Sequence, residues 1–413
     1  MSKRRSTRSI EVILFGLFLF AIPSMQVIAA SSNAVSRALA LPKSGLMVVE
    51  RGQAVIAHNA DRPMVPASTM KVLTTLASIQ RWGLDHRFHT DFYLDSNDVL
   101  WAKGYGDPYL VSEELDLISR ALKQKGIRSV AGIGTDDGYF APRIQISGRS
   151  SSNNPYDAPV TALAANFNTV NLHRKAGATT SSEPQTPLTP TARQFGNGLP
   201  SGKHRINLKE RPVAVRYFGE LFAAKLSAAG IQVGDQQLNG KVPMGAKQIY
   251  RHRNSRNLRA VLTPMLEYSN NFIANGLFLL LGDLGNGRAL DMKGAQQAAD
   301  VWARKNFRWR DYRIEDGAGL SRGNRLSARQ LVDVLKAFAP YRDLLPAQNA
   351  QIKAKTGTLR GVSCYAGFVD RGGRWEPFSL LINQPVDYHF RRRVADDLVR
   401  TPNLAKLCKG GAC

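Results

Sequence analysis

Three cysteines in 413 residues are too few for a disulfide scaffold. Cys408 and Cys413 stand close enough to close a small terminal loop in an oxidising compartment, and Cys364, within a predicted strand, reads as a buried thiol. The seven histidines are scattered, with no His-Glu-x-x-His and no paired-cysteine spacing, so neither a metal nor another cofactor is expected. Beyond residue 30 no apolar run is long enough to span a bilayer, and Leu277 to Leu281 reads as a buried helix segment. Acidic residues are scarce: 32 Asp and Glu face 56 Lys and Arg, a formal net charge of +24. Such a balance favours anionic partners. No internal repeat is visible.

The chain starts with Lys3, Arg4, Arg5 and Arg8, followed by an apolar run from Val12 to Pro23 that is short for a membrane span, and then by Val27-Ile28-Ala29-Ala30. This pattern predicts a secretory signal peptide over residues 1–30, cut after Ala29 or Ala30; an uncleaved N-terminal anchor is the alternative. Its removal leaves a net charge of +21. Outside the cytoplasm the matching anions are cell-wall polymers or anionic lipid surfaces rather than nucleic acid. Spread over solvated faces, the same charge is that of a basic exported protein, and runs such as Tyr250 to Arg256 and Arg391-Arg392-Arg393 read as solvated.

What the chain does have is three short motifs in order: Ser68-Thr69-Met70-Lys71, Ser269-Asn270-Asn271 and Lys355-Thr356-Gly357. Each alone has a bland reading, as a helix start, a second helix start and a strand end. Together they supply the polar groups of an acyl-transfer serine enzyme. Pro66 and Ser68 precede Val72, Leu73, Leu76, Ala77 and Ile79 at helical spacing, so Ser68 sits at a helix start with Lys71 on the same face of the first turn. A serine hydroxyl attacks well only when a base takes its proton. Lys71 can be that base if burial and a nearby positive charge, such as Lys355, lower its pKa. In the same scheme Ser269 relays a proton to the leaving amine, and Asn271 holds Lys71 and the substrate amide. Thr356 binds a substrate carboxylate, with Lys355 adding positive potential. Gly357 leaves room for the substrate backbone. The N–H groups of Ser68 and Thr358 receive the oxyanion.

Gly45 to Arg51 and Ala54 to His58 read as a hairpin, and Gln351 to Thr356, Ser363 to Val369 and Pro377 to Ile382 as three later strands. Together they predict one five-stranded antiparallel sheet. Helices are expected at Ser68–Arg81, Asn257–Leu281, Asp291–Asn306, Ala328–Phe338 and Phe390–Val399. The fold class is therefore α+β, with a catalytic domain over 31–87 and 254–413. A long, mainly β insertion over 88–253 forms one or two small domains. Within it, Gly177 to Pro190 reads as a mobile loop or linker, and Asp107, Asp136 and Asp137 sit in glycine-flanked turns.

Over its whole mature length the chain resembles the class C low-molecular-mass penicillin-binding proteins, the penicillin-binding protein 4 type of D-alanyl-D-alanine carboxypeptidase and endopeptidase. The three motifs carry the likeness. So do Pro66 to Lys71, Ala158 to Leu163 with Asn166 to Asn168, and Asp316 to Ser321 with Asn324. The resemblance implies a transpeptidase/β-lactamase-like domain and hydrolysis of D-Ala-D-Ala bonds or peptide cross-links of peptidoglycan stem peptides. It further implies an acyl-enzyme on Ser68, β-lactams as inhibitors and a periplasmic location. It implies for Asp136 a role in reading the amino group of a diamino-acid side chain. The chain departs from the family pattern at Ser147 to Asn154, where a tryptophan-containing stretch is usual, and at Asn270, where Asp is usual. The rival functions are a β-lactamase-like hydrolase and a non-catalytic protein that binds cell wall or penicillin.

Overall fold

The structure is a computed structural model that describes residues 33–408. The predicted signal peptide lies outside those residues, as do Cys413 and the side chain of Cys408, and with them the expected terminal disulfide.

The two ends of the chain meet in one sheet. Its order is Ala347–Asn349, Ile352–Leu359, Val362–Asp370, Trp375–Ile382, Ser44–Glu50 and Gln53–His58, and every neighbouring pair is antiparallel. Five of these strands match the sequence reading. The sixth, Ala347–Asn349, pairs only with the start of its neighbour, through Ala347–Lys353 and Asn349–Ile352. From Lys355 onward, no further strand among the described residues covers that outer edge.

Both faces of the sheet are packed, so Val362–Asp370 is buried along almost its whole length rather than alternating. Tyr365, Val369, Phe378 and Leu380 join a cluster beneath the terminal helices Ala34–Leu39 and Phe390–Arg400. Cys364, Ala366, Phe368 and Leu381 belong to the opposite cluster, around the helix Met70–Trp82. Cys364 is fully buried, its Sγ donating to Val65 O, and burial pushes the thiol up to about 12. Met70 to Ile79 is buried on every side. The helix ends at Gly83, whose φ of 77° closes it with an N–H bond to Ile79 O.

The single helix expected over Asn257–Leu281 is two helices, Leu258–Glu267 and Asn271–Leu281. Between them Ser269 takes a left-handed conformation, φ 56°, and Asn270 caps the second helix by accepting from Ile273 N. A non-glycine residue there costs of order 1–3 kcal/mol, and such strain gathers at functional sites.

Residues 89–253 build two more sheets. One has the order Lys247–Arg253, His89–Leu94, Val99–Gly104, Ser129–Asp136 and Gln232–Asn239, with its last two pairings parallel. Helices Ser112–Gln124 and Arg211–Ala228 precede its two last strands in the chain, as parallel connections require. The other holds Ala178–Ser181, Thr169–Lys175 and Gly202–Asn207. Both sheets share one apolar cluster, which includes Phe92, Ile133, Val170, Phe218 and Phe222. The polar stretch from Gly177 to Pro190 is not a linker. Ala178–Ser181 pairs with the preceding strand, and Thr189 caps the helix Pro190–Gly196 by accepting from Ala192 N. Among the described residues no helix is long and apolar enough to cross a membrane.

Candidate active site

Ser68 sits in a tight turn, Ala67–Thr69, that runs into the buried helix. Ala67 adopts a φ of 46°, and Thr69 Oγ1 donates to Pro66 O at 2.6 Å. The Ser68 hydroxyl does not cap the helix. Instead it accepts from Lys71 Nζ at 3.1 Å. The same amine donates to Asn271 Oδ1 and to Ala318 O, each at 2.8 Å. All three partners are neutral. Lys71 is fully buried. Burial pushes its pKa well below the ordinary lysine range, the Lys355 charge pushes the same way, and Asp316 opposes them.

The Ala318 carbonyl is the acceptor that sequence reasoning missed. It belongs to the segment Asp316 to Ser321, wound around one buried carboxylate. Asp316 accepts from the N–H groups of Ala318, Leu320 and Ser321 and from Asn324 Nδ2. Asn275, one turn beyond Asn271 on the same helix, accepts from Gly317 N and Ala318 N. The signal for this support was the Asn271/Asn275 pair at helical spacing in an otherwise apolar helix. Gly319 has a φ of 75°, and a Cβ there would lie 1.8 Å from Ala67 O, so only glycine lets this segment press against the serine turn.

Lys355 is buried on the strand Ile352–Leu359, donating only to Thr356 O at 3.0 Å. Burial, then the charge of Arg391, pushes its pKa down to about 8. Gly357 serves an end that its sequence context did not show. A Cβ there would meet Pro66 O at 2.8 Å, Ser68 N at 3.0 Å and Thr69 N at 3.1 Å, so the missing side chain also admits the serine turn. Arg391, expected in a solvated run, is 4% exposed and donates to Gly357 O at 3.0 Å and Thr358 Oγ1 at 2.6 Å.

Ser68, Ser269, Asn271, Thr356, Thr358 and Arg391 line one cavity of about 310 Å³. A second, of about 460 Å³, shares Ser269, Asn271 and Thr356 with it and extends past Lys355 to Phe167 and Arg205. Phe167 enters from the three consecutive left-handed residues Asn166, Phe167 and Asn168. Asp136 is not brought to this cleft. It lies in a separate cavity of about 600 Å³ beside Arg211 and Lys241, its oxygens accepting from Gly138 N and Val242 N. Its neighbour Asp137 is ion-paired with Arg211 at 2.5 Å, and burial still pushes that carboxyl up to about 6. Asp107 accepts from Tyr109 N and Asn254 Nδ2.

The model of the D-Ala-D-Ala carboxypeptidase 3 (S13) family matches residues 29–197 and 208–351. A D-alanyl-D-alanine carboxypeptidase of Actinomadura sp. (strain R39) is 26% identical, over 82% of this chain and 77% of that protein. The solved penicillin binding protein 4 of Haemophilus influenzae superposes with a TM-score of 0.70 at 20% identity, covering 86% of this chain and 96% of that one. A predatory endopeptidase of Bdellovibrio bacteriovorus superposes with a TM-score of 0.52 at 16% identity, over 89% and 93%.

Proposed function

The chain belongs to the D-Ala-D-Ala carboxypeptidase 3 (S13) family, and from that premise we propose that it cleaves D-Ala-D-Ala bonds of peptidoglycan peptides through an acyl-enzyme on Ser68. One observation carries the reading: the buried Lys71 amine lies 3.1 Å from Ser68 Oγ and bonds only neutral acceptors. In its neutral form Lys71 keeps two N–H bonds, to Asn271 Oδ1 and Ala318 O, and its lone pair takes the Ser68 proton as Ser68 Oγ attacks the penultimate alanine carbonyl. The oxyanion is received by the N–H groups of Ser68 and Thr358, which flank the close contact at Gly357. Ser269 passes a proton to the leaving amine, so the C–N bond breaks and D-alanine departs. Water then attacks the ester carbonyl, the proton returns to Ser68 by way of Lys71, and the acid is released.

Substrate lies along the uncovered edge beyond Lys355, as an added strand. Cleavage of peptide cross-links belongs to the same reading. It is supported by the cleft that continues past Ser269 to Arg205 and Phe167, with room for a second peptide strand. A β-lactam presents a strained amide to the same serine and acylates it. A peptidoglycan substrate calls for action outside the cytoplasm, in keeping with the predicted signal, and the net charge of +21 left after its removal suits an anionic wall or membrane surface.

The test is release of D-alanine from a peptide ending in D-Ala-D-Ala, with intact-mass analysis after penicillin treatment. Wild type should release alanine and gain one adduct on the Ser68 peptide, and Ser68→Ala should do neither. An adduct on another residue contradicts the reading.

A further inference from the structure

Lys71 and Lys355 are two of the three cations buried at this site, and the mechanism leaves the third without a task. Arg391 opens the C-terminal helix Phe390–Arg400 beside two exposed arginines, yet it is itself buried. Its Nη1 donates to Gly357 O and Thr358 Oγ1, and its Nε is buried without any partner. Arg393 has its own carboxylate in Asp387. Arg391 forms no ion pair among the described residues. The Tyr388 ring centroid lies 5.5 Å from its guanidinium carbon, and no carboxylate bonds to it among the described residues. The cavity it shares with Ser68 has no Asp or Glu in its lining. A buried guanidinium held only by neutral acceptors is costly unless an anion completes it.

Lys355 is poorly placed to supply the charge in that cavity. It lines the neighbouring one, on the Phe167 and Arg205 side. Thr358, by contrast, is exposed to the cleft. Because its Oγ1 already accepts from Arg391, its O–H is left to donate outward.

We propose that Arg391 is the specificity determinant for the substrate's free terminal carboxylate, acting as a buried counter-charge and through the Thr358 hydroxyl that it orients. This rests on the reaction assigned above and moves the carboxylate's cation from Lys355 to Arg391. Lys355 is then left to depress the Lys71 pKa.

The experiment compares kcat/KM for alanine release from a D-Ala-D-Ala peptide with release of alaninamide from its C-terminal amide. The amide preserves the scissile bond and removes the charge. Wild type should prefer the acid. Arg391→Gln should cut that preference roughly 10- to 100-fold, the size of a lost hydrogen bond to a charged group, and Arg391→Lys should restore part of it. Turnover of the amide shows that each variant is folded. If acid and amide fall in parallel, Arg391 merely holds the Lys355 strand and the proposal is overturned. An unchanged preference, or a wild type with none, overturns it too, while the reaction reading stands. Release from neither peptide by wild type would sink that reading and this proposal together.

Discussion

The cleft at Ser68 and the cavity beside Asp136 both gather buried charged side chains, and they satisfy them in opposite ways. In the cavity the buried Asp137 is answered by an opposite charge, Arg211, and its neighbour Asp136 by two backbone N–H groups. In the cleft Lys71 bonds a hydroxyl, an amide oxygen and a carbonyl, while Lys355 and Arg391 bond carbonyls and a hydroxyl. No ion pair forms at these three cations among the described residues. Charge that is answered within the fold holds the fold together. Charge held by neutral acceptors either drops its proton, as Lys71 and Lys355 are pushed to do, or stays ready for an anion.

The comparison breaks first at Lys71. Lys71→Arg keeps a cation there but cannot deprotonate, so acylation by penicillin should slow by roughly 10²- to 10⁴-fold, the usual cost of removing a positioned base. Stopped-flow acylation rates close to wild type would show that the amine is not the base. Asn271→Asp makes the cleft resemble the cavity by setting a carboxylate at the 2.8 Å contact with Lys71. An adjacent opposite charge favours the protonated amine by about 1–3 pH units. The acidic limb of the acylation profile should therefore move to higher pH by that amount, and an unmoved limb would contradict the electrostatic account.

Lys355 sets the other limb. Its charge is present below about pH 8 and lost as pH rises through that value. With it goes the repulsion that helps keep Lys71 neutral. kcat/KM for a peptide acid should thus decline above about pH 8, as steady-state profiles would record. A plateau to pH 10 would remove Lys355 from the account. The smallest effect on catalysis is expected in the cavity. Asp137→Asn leaves Arg211 without its counter-charge, though Ala141 O, Phe140 O and Asp137 O still accept from it. Thermal unfolding should show a loss of about 1–3 kcal/mol, with kcat/KM within about threefold of wild type. A larger fall in activity would mean that the two regions are not as separate as their lining residues make them.

The same contrast explains how much was legible in the sequence. The serine turn, its helix and the sheet from the two chain ends carry local signals: Pro66 ahead of an apolar stripe, a hairpin glycine, alternating strands. The helix Ser112–Gln124 carried one too, in Leu115, Ile118 and Leu122 at helical spacing, and the β-rich reading of the insertion passed over it. Arg211–Ala228 is apolar on most sides, so its period is weak. Other features have no local signal. The acceptor from Ala318 is a backbone carbonyl, and nothing in a serine's type marks the left-handed turn at Ser269. Arg391 is one of three consecutive arginines, and only the packed helix decides which of them is buried. The approach of the serine turn to Gly357 has none either, because tertiary structure alone brings it there.

The central claim is that Lys71 is a neutral amine at working pH because burial and Lys355 together outweigh Asp316. The most direct measurement is the titration of its Nζ by NMR in protein labelled at lysine, with the resonance assigned by its loss in Lys71→Arg. The account predicts a resonance that is already neutral at pH 7 and that shifts to the protonated form only in more acidic solution. An amine that stays protonated until about pH 10, as an ordinary lysine does, would contradict it.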